Sequence, residues 1–365
     1  MNGISFTRQL LDWYDANGRN LPWRQRPEPY AVWVSEIMAQ QTQIDRVVDY
    51  HARWMQRFPD IPALANASED EVLNLWEGLG YYTRARNMHK TAILIQAEFG
   101  GIFPSDFADI RSLPGVGDYT AGAVASIAFG QSEPAVDANV LRVFARLLDV
   151  AESVRDKAGR NPIEKQVRRL IPDDRPGDFN QAVMELGALV CRKSPHCGRC
   201  PVQDHCQALG AGTVALRPVL PASREILRIN MATGVLVHQG RMLIQKRKPG
   251  DVWPGLWEFP GGGIEEGETP EQAVVREFME EVELTVRPVE KITVIKYNYT
   301  RYRVTMHCFL CRVIGNEAQP VFNEAVEGGF MAPDDLKNFA FPSGHRKLAV
   351  FMQSDDRFAS LFPAF

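Results

Sequence analysis

Cys191, Cys197, Cys200 and Cys206 crowd into residues 191–206 with the spacing C-x5-C-x2-C-x5-C, and Pro201 follows the third. Four thiolates this close together bind an iron–sulfur cluster or a zinc ion, and the spacing alone does not choose between them. Well upstream, Leu113-Pro114-Gly115-Val116-Gly117 joins two short helical segments. Its glycines permit a tight turn that leaves several amide N–H groups unpaired at a helix N-terminus, a grip for phosphate that needs no positive side chain. Asp137 precedes a further helical segment, where a carboxylate serves as an N-cap. Cys308 and Cys311 lie on opposite faces of a strand by period-two geometry, which disfavours a shared metal and reads as core placement.

These groups need scaffolds of two different kinds. The chain has 365 residues, 45% hydrophobic and 24% charged, enough for two domains with their own cores and unlike disordered, collagen-like or coiled-coil proteins. With 41 Lys and Arg against 45 Asp and Glu the net charge is −4. A nucleic acid would therefore be held by backbone amides and local cations such as Arg84 and Arg86 rather than by a broadly basic surface. No apolar run reaches the ~18 residues of a membrane span, and Arg8 and Asp12 interrupt the start where a signal peptide needs an apolar core. A cytoplasmic protein with no membrane partner is the expectation.

Residues 1–206 read as helices, with apolar residues at three- and four-residue spacing over Tyr30–His51, Ser68–Gly78, Tyr82–Phe99, Thr120–Phe129, Ala138–Leu148 and Phe179–Cys191. Residues 207–227 dissolve into Gly210, Gly212, Pro218 and Pro221 and read as a linker. Over 228–365 the period becomes two, giving strands at Ile229–His238, Arg241–Arg247, Val289–Lys296 and Tyr302–Val313. Helices over Pro270–Val282 and His345–Met352 make this half α+β.

The hairpin, the Val136-Asp137-Ala138-Asn139-Val140 segment and the cysteine loop together resemble the helix-hairpin-helix DNA glycosylase superfamily. Within it, Pro29-Tyr30 to Trp33, Ser35-Glu36, Gln40-Gln41-Thr42-Gln43 and Gly78-Leu79-Gly80-Tyr81-Tyr82 look like the adenine DNA glycosylase (MutY) family. The resemblance implies a multidomain enzyme: an all-α glycosylase domain with an iron–sulfur loop at 191–206, then an α+β lesion-reading domain. It implies removal of adenine mispaired with 8-oxoguanine or guanine, in base excision repair, on double-stranded DNA and by a monomer. Glu36 would be the general acid, its proton kept by the apolar surroundings of Trp33, Ile37, Met38 and Ile44, with Gln40 and Gln43 on its own side of one helix. Asp137 would stabilise the oxocarbenium-like sugar. Tyr119 stands where lyase relatives carry a Schiff-base Lys, so base removal without strong strand cleavage is expected, with Tyr119 hydrogen-bonded to the catalytic carboxylate. Gln41 and Tyr81 would fill or wedge the gap left by the flipped base, and Leu113, Gly115 and Gly117 would hold the backbone. The resemblance favours a 4Fe-4S cluster, although the first cysteine gap has five residues where the family has six.

In the C-terminal half, Gly262, Glu268 and Arg276-Glu277-Phe278-Met279-Glu280-Glu281-Val282-Glu283-Leu284 resemble the Nudix box, with Glu283 in place of its last glycine. Glu277, Glu280 and Glu281 share one helix face and could hold Mg2+ against a diphosphate. The alternative function is therefore a bifunctional protein that also hydrolyses oxidised nucleoside triphosphates such as 8-oxo-dGTP. A side chain at position 283 is expected to disturb the turn after the helix if that turn needs positive φ. Phe341-Pro342-Ser343-Gly344-His345 resembles the family's Phe-Ser-His loop, so Ser343 and His345 are the expected contacts to 8-oxoguanine.

Overall fold

The computed structural model describes residues 3–221, 225–315 and 318–361; residues 222–224 of the expected linker lie outside them. The chain forms two compact units, one of residues up to 66 with 87–222, the other of 67–86 with 223 onward.

The first unit is all-α. Its central helix, Pro29–Ala39, is buried from Tyr30 to Met38 except at Glu36, and it packs on the helices Ile44–Arg57 and Asp118–Phe129. A helix apolar on every side belongs inside a protein, so this one orders its neighbours around itself. The single helix expected over Tyr30–His51 is two. Gln40 leaves helical geometry, Gln41 sits at φ 58°, and Gln43 becomes the N-cap of the next helix, so Gln43 no longer shares a face with Glu36. A second cluster joins Phe6 and Leu10 of the Gly3–Asn17 helix to Phe144 of Ala138–Leu147 and Phe179 of Pro176–Leu189.

The start of the expected linker belongs to this unit. Gln207–Gly210 is a short helix, Val219 bridges to Ser153, and the Arg217 guanidinium pairs with Asp149 at 2.9 Å. Glycine and proline ended the helices here without freeing the chain.

The second unit is α+β, built on β1 (Leu227–His238), β2 (Arg241–Arg247), β3 (Trp257–Glu258), β4 (Gly261–Gly263), β5 (Val286–Tyr299), β6 (Tyr302–Val313) and β7 (Ala325–Met331). The order is β3-β2-β1-β6-β5, with β4 on β1 and β7 on β2. β1 and β6 run parallel from Leu227↔Tyr302 to Leu236↔Cys311, and the other pairs are antiparallel. The Pro270–Val282 helix packs on Ala232, Leu236, Phe309 and Cys311, and the Ser343–Ser354 helix covers Met306 and Cys308 on the other face. Cys308 and Cys311 thus lie in separate cores. β5 begins before Pro288 because a register shift absorbs the proline. The Pro270–Val282 helix starts on a capping box in which Thr269 and Gln272 exchange side-chain and backbone bonds, with Pro270 in the first turn. Such caps contribute about 1 kcal/mol and sharpen the boundary.

Candidate active site

Glu36 is the one charged residue in a helix otherwise surrounded by apolar side chains. Its Oε2 accepts a hydrogen bond from the Tyr119 hydroxyl, supplied by the Asp118–Phe129 helix. Burial pushes the Glu36 carboxyl above the usual range; the Tyr119 bond pulls it down, the nearby charge of Asp137 pushes it up again and Arg24 opposes, and the net shift is upward. Burial first, and then the charge on Glu36, drive the Tyr119 hydroxyl well up, so it stays a donor.

Asp137 caps the Ala138–Leu147 helix, its Oδ1 accepting from the Val140 amide at 2.7 Å and its Oδ2 from the Asn139 side chain at 2.6 Å. Burial raises its carboxyl and these bonds only partly offset it. Capping and catalysis are compatible, because the cap bonds fix where the carboxylate stands. Gly187 makes the arrangement possible: a Cβ there would lie 2.6 Å from that of Asn139. Structure thus brings Glu36, Tyr119 and Asp137 together from three helices.

Two features escaped the sequence reading. Glu185 of the Pro176–Leu189 helix is 1% exposed and accepts from Arg19 at 2.8 and 2.9 Å and from Arg24 at 2.9 Å. Burial alone would raise this carboxyl, but the two guanidinium groups outweigh it and hold it low. Arg24, whose charge also acts on Glu36 and Tyr119, is therefore fixed beside the acid. The second feature is a path: Arg142 donates from Nη2 to Asn139 Oδ1 at 2.7 Å and from Nε to the Cys191 carbonyl at 2.8 Å, linking the Asp137 cap to the cysteine loop. The signal for Glu185 was an acid flanked by Met184 and Leu186 on a largely apolar stretch of its helix.

The hairpin joins the Phe107–Ser112 and Asp118–Phe129 helices. Gly115 takes φ 74°, and a Cβ there would strike Asn87 at 2.5 Å, while Gly117 is an N-cap with no side chain closing the first amides of its helix. The Leu113 side chain is 2% exposed, so it anchors the hairpin and leaves its backbone at the turn, the part expected to hold phosphate. Arg84 and Arg86 are likewise engaged inside the second unit, Arg84 with the Leu79 and Gly80 carbonyls and Arg86 with Glu69, rather than standing free for phosphate. Gln41 and Tyr81 are both exposed and both take positive φ, at 58° and 49°. That conformation costs a side-chain-bearing residue about 1 kcal/mol and is kept where it aims a side chain.

The four cysteines line one pocket with Val143, Arg146 and Val202. Four thiols around one pocket supply the donor set of an iron–sulfur cluster. The shortened first gap is accommodated by the His196 amide bonding the Val190 carbonyl and by Arg146, whose Nη1 reaches Cys191 Sγ at 3.3 Å.

In the second unit, Arg276 forks onto Glu268 and also pairs with Glu277 at 2.9 Å and Glu280 at 3.0 Å. Glu281 turns inward to the Gln245 side chain and the Gly261 amide. As they stand, these carboxylates do not fit Mg2+, and no step is derived through it. Glu283 does take the left-handed conformation, at φ 54°. The turn is nevertheless intact, because the Asn323 side chain bonds Glu283 Oε1 and the Glu280 carbonyl.

His345 corrects a further expectation. It is 2% exposed, its Nδ1 faces the Phe259 amide at 3.3 Å, and burial with the charge of Arg247 lowers it to about 3. It is a neutral core residue, out of reach of a lesion; Ser343, at the start of its helix, is exposed.

Comparison with known proteins agrees with this geometry. Residues 34–172 match the HhH-GPD superfamily base excision DNA repair proteins, 192–206 the iron–sulfur binding domain of endonuclease III, and 232–350 the NUDIX domain. A thermostable thymine-DNA glycosylase structure, 24% identical, aligns over 57% of this chain and 97% of its own with a TM-score of 0.52, showing the shared helical fold. The adenine DNA glycosylase of Rattus norvegicus is 42% identical over 269 residues, covering 70% of this chain, which spans only 51% of that protein. That of Buchnera aphidicola (Baizongia pistaciae) is 36% identical over 263 residues, covering 71% of this chain and 74% of its own. With relatives of this identity and a family model over the helical half, the chain belongs to the adenine DNA glycosylase family.

Proposed function

We propose that this protein removes adenine mispaired with 8-oxoguanine or guanine in double-stranded DNA, as a cytoplasmic, monomeric base excision repair enzyme. The observation that carries the reading is the part-buried Glu36 carboxyl, bonded to the Tyr119 hydroxyl and within reach of the Asp137 charge. Glu36 gives its proton to a ring nitrogen of the flipped adenine, the C1′–N9 bond breaks and its electrons pass to the base. Asp137 faces the oxocarbenium-like sugar until water adds at C1′, its proton passing to the Glu36 carboxylate and restoring the acid. Gln41 and Tyr81 enter the vacated stack, the hairpin amides at Gly115 and Gly117 take phosphate, and Ser343 contacts the lesion. A 4Fe-4S cluster held by Cys191, Cys197, Cys200 and Cys206 supplies a rigid cross-link for its loop, and the Arg142 path ties that loop to Asp137.

The test is single-turnover adenine release from a duplex with one 8-oxoguanine:adenine pair. Release by the cluster-loaded chain is expected, and its absence overturns the reading. Tyr119 is fully engaged as a hydroxyl donor and offers no amine, so borohydride is expected to trap no covalent protein–DNA adduct; a good yield of adduct would contradict a monofunctional mechanism.

Hydrolysis of 8-oxo-dGTP with Mg2+ would require Glu277 and Glu280 to leave Arg276 and Glu281 to turn outward. No Mg2+-dependent turnover is therefore expected. Turnover that Glu280→Gln abolishes would instead install the second activity.

A further inference from the structure

Residues 67–86, which carry Tyr81, belong to the same compact unit as the Phe341–Arg346 loop, and the bonds between them converge on one residue. The Glu77 carboxylate accepts from Arg346 Nε at 2.5 Å and Nη2 at 2.8 Å, and from the Phe341 amide at 3.4 Å. The Tyr82 hydroxyl donates to the Phe341 carbonyl at 3.2 Å. Tyr81 is thus bracketed by two bonds to the amide and carbonyl of Phe341, two residues before Ser343. Arg346 also donates to the Leu336 and Phe339 carbonyls and lies over the Phe341 ring at 4.9 Å. The side chains of the ion pair are 13% and 25% exposed, so water screens this fork less than it screens a surface pair.

The turn between the brackets is stiff. Gly78, Gly80 and Tyr81 all take positive φ. The Trp76 indole donates to the Gly80 carbonyl at 3.0 Å, and Arg84 binds the Leu79 and Gly80 carbonyls while its guanidinium stands 5.6 Å from the Tyr81 ring centre. Beyond it, the Tyr81 ring meets Tyr299 at 6.5 Å. These bonds give a displacement of the Ser343 loop a direct route to Tyr81.

The geometry points to Glu77 as a positioning residue that locks the lesion-contacting loop to the wedge, making lesion reading and helix opening one event. This rests on the roles given to Tyr81 and Ser343 under the proposed function. The test uses the full chain on duplexes with 2-aminopurine beside 8-oxoguanine or guanine opposite adenine, following probe brightening on binding and single-turnover adenine release. In Glu77→Gln, brightening and release on the 8-oxoguanine duplex are expected to fall about tenfold, and release on the guanine duplex to fall less, so that discrimination collapses. Arg346→Lys keeps the charge but loses the fork, and should shift discrimination the same way; it decides the matter if Glu77→Gln does not fold. Equal losses on both duplexes, or discrimination within about twofold of wild type in the folded variants, overturn the proposal. A wild-type chain that neither brightens the probe nor releases adenine overturns the underlying reading instead, a different result from wild-type activity with unaffected variants.

Discussion

Glu36→Gln is expected to lower single-turnover adenine release by about 1000-fold while leaving the fold intact. The amide keeps the size of the carboxyl and still accepts from Tyr119, but it has no proton to give. The pH profile should carry the same signature. Glu36 must be protonated to act, and its surroundings raise its carboxyl, so the rate persists at the acid side of that raised value and declines as pH rises through it. Asp137 must be ionised to face a cationic sugar, and its carboxyl is raised as well, so the rate also declines toward lower pH. Removing Tyr119's hydroxyl removes an influence that lowers Glu36, and Tyr119→Phe should move the alkaline limb upward. In Glu36→Gln that limb disappears. A Glu36→Gln enzyme retaining a tenth or so of wild-type activity, with the alkaline limb unchanged, would remove Glu36 from the chemistry.

The largest expected effect on stability is at Arg146, a guanidinium only 3% exposed. It donates to the carbonyls of Arg192 at 2.6 Å, Lys193 at 3.2 Å and Arg217 at 3.0 Å, besides Cys191 Sγ. Arg146→Met fills the volume but leaves these buried acceptors without a donor, at a cost of about 4 kcal/mol. Iron bound per chain and the melting temperature should both fall, and adenine release should fall with them, because Arg142 connects the loop to the Asn139–Asp137 cap. Full iron occupancy and unaltered melting in Arg146→Met would show that the cysteines hold their cavity without this residue.

Much of the site was legible because its chemistry is local. The hairpin glycines, the cysteine spacing and the Asp137 cap act within a few residues of themselves, and a capping box writes the start of the Pro270–Val282 helix into the four residues Thr269 to Gln272. The break at Gln40–Gln43 was not legible. Apolar residues continue across it, and only packing against other helices decides that Gln41 adopts a positive φ. β7 was missed because Ala-Val-Glu-Gly-Gly-Phe-Met has no alternation; its strand state comes from pairing with β2.

The sequence by itself determined the two-unit class, the helical and α+β halves and the cysteine quartet, because periodicity and spacing are properties of neighbouring residues, whereas the roles expected of Glu36 and Asp137 came from the family resemblance. Tertiary structure decided the rest. It buried His345 and so removed it from the lesion, tied the start of the linker into the helical unit, committed Glu277 and Glu280 to Arg276, and set Glu185 with two arginines beside Glu36. It also placed Glu77 against Arg346. Each of these outcomes depends on burial and on charges brought together from distant parts of the chain, and desolvation and Coulomb energies act through space, where sequence separation carries no information.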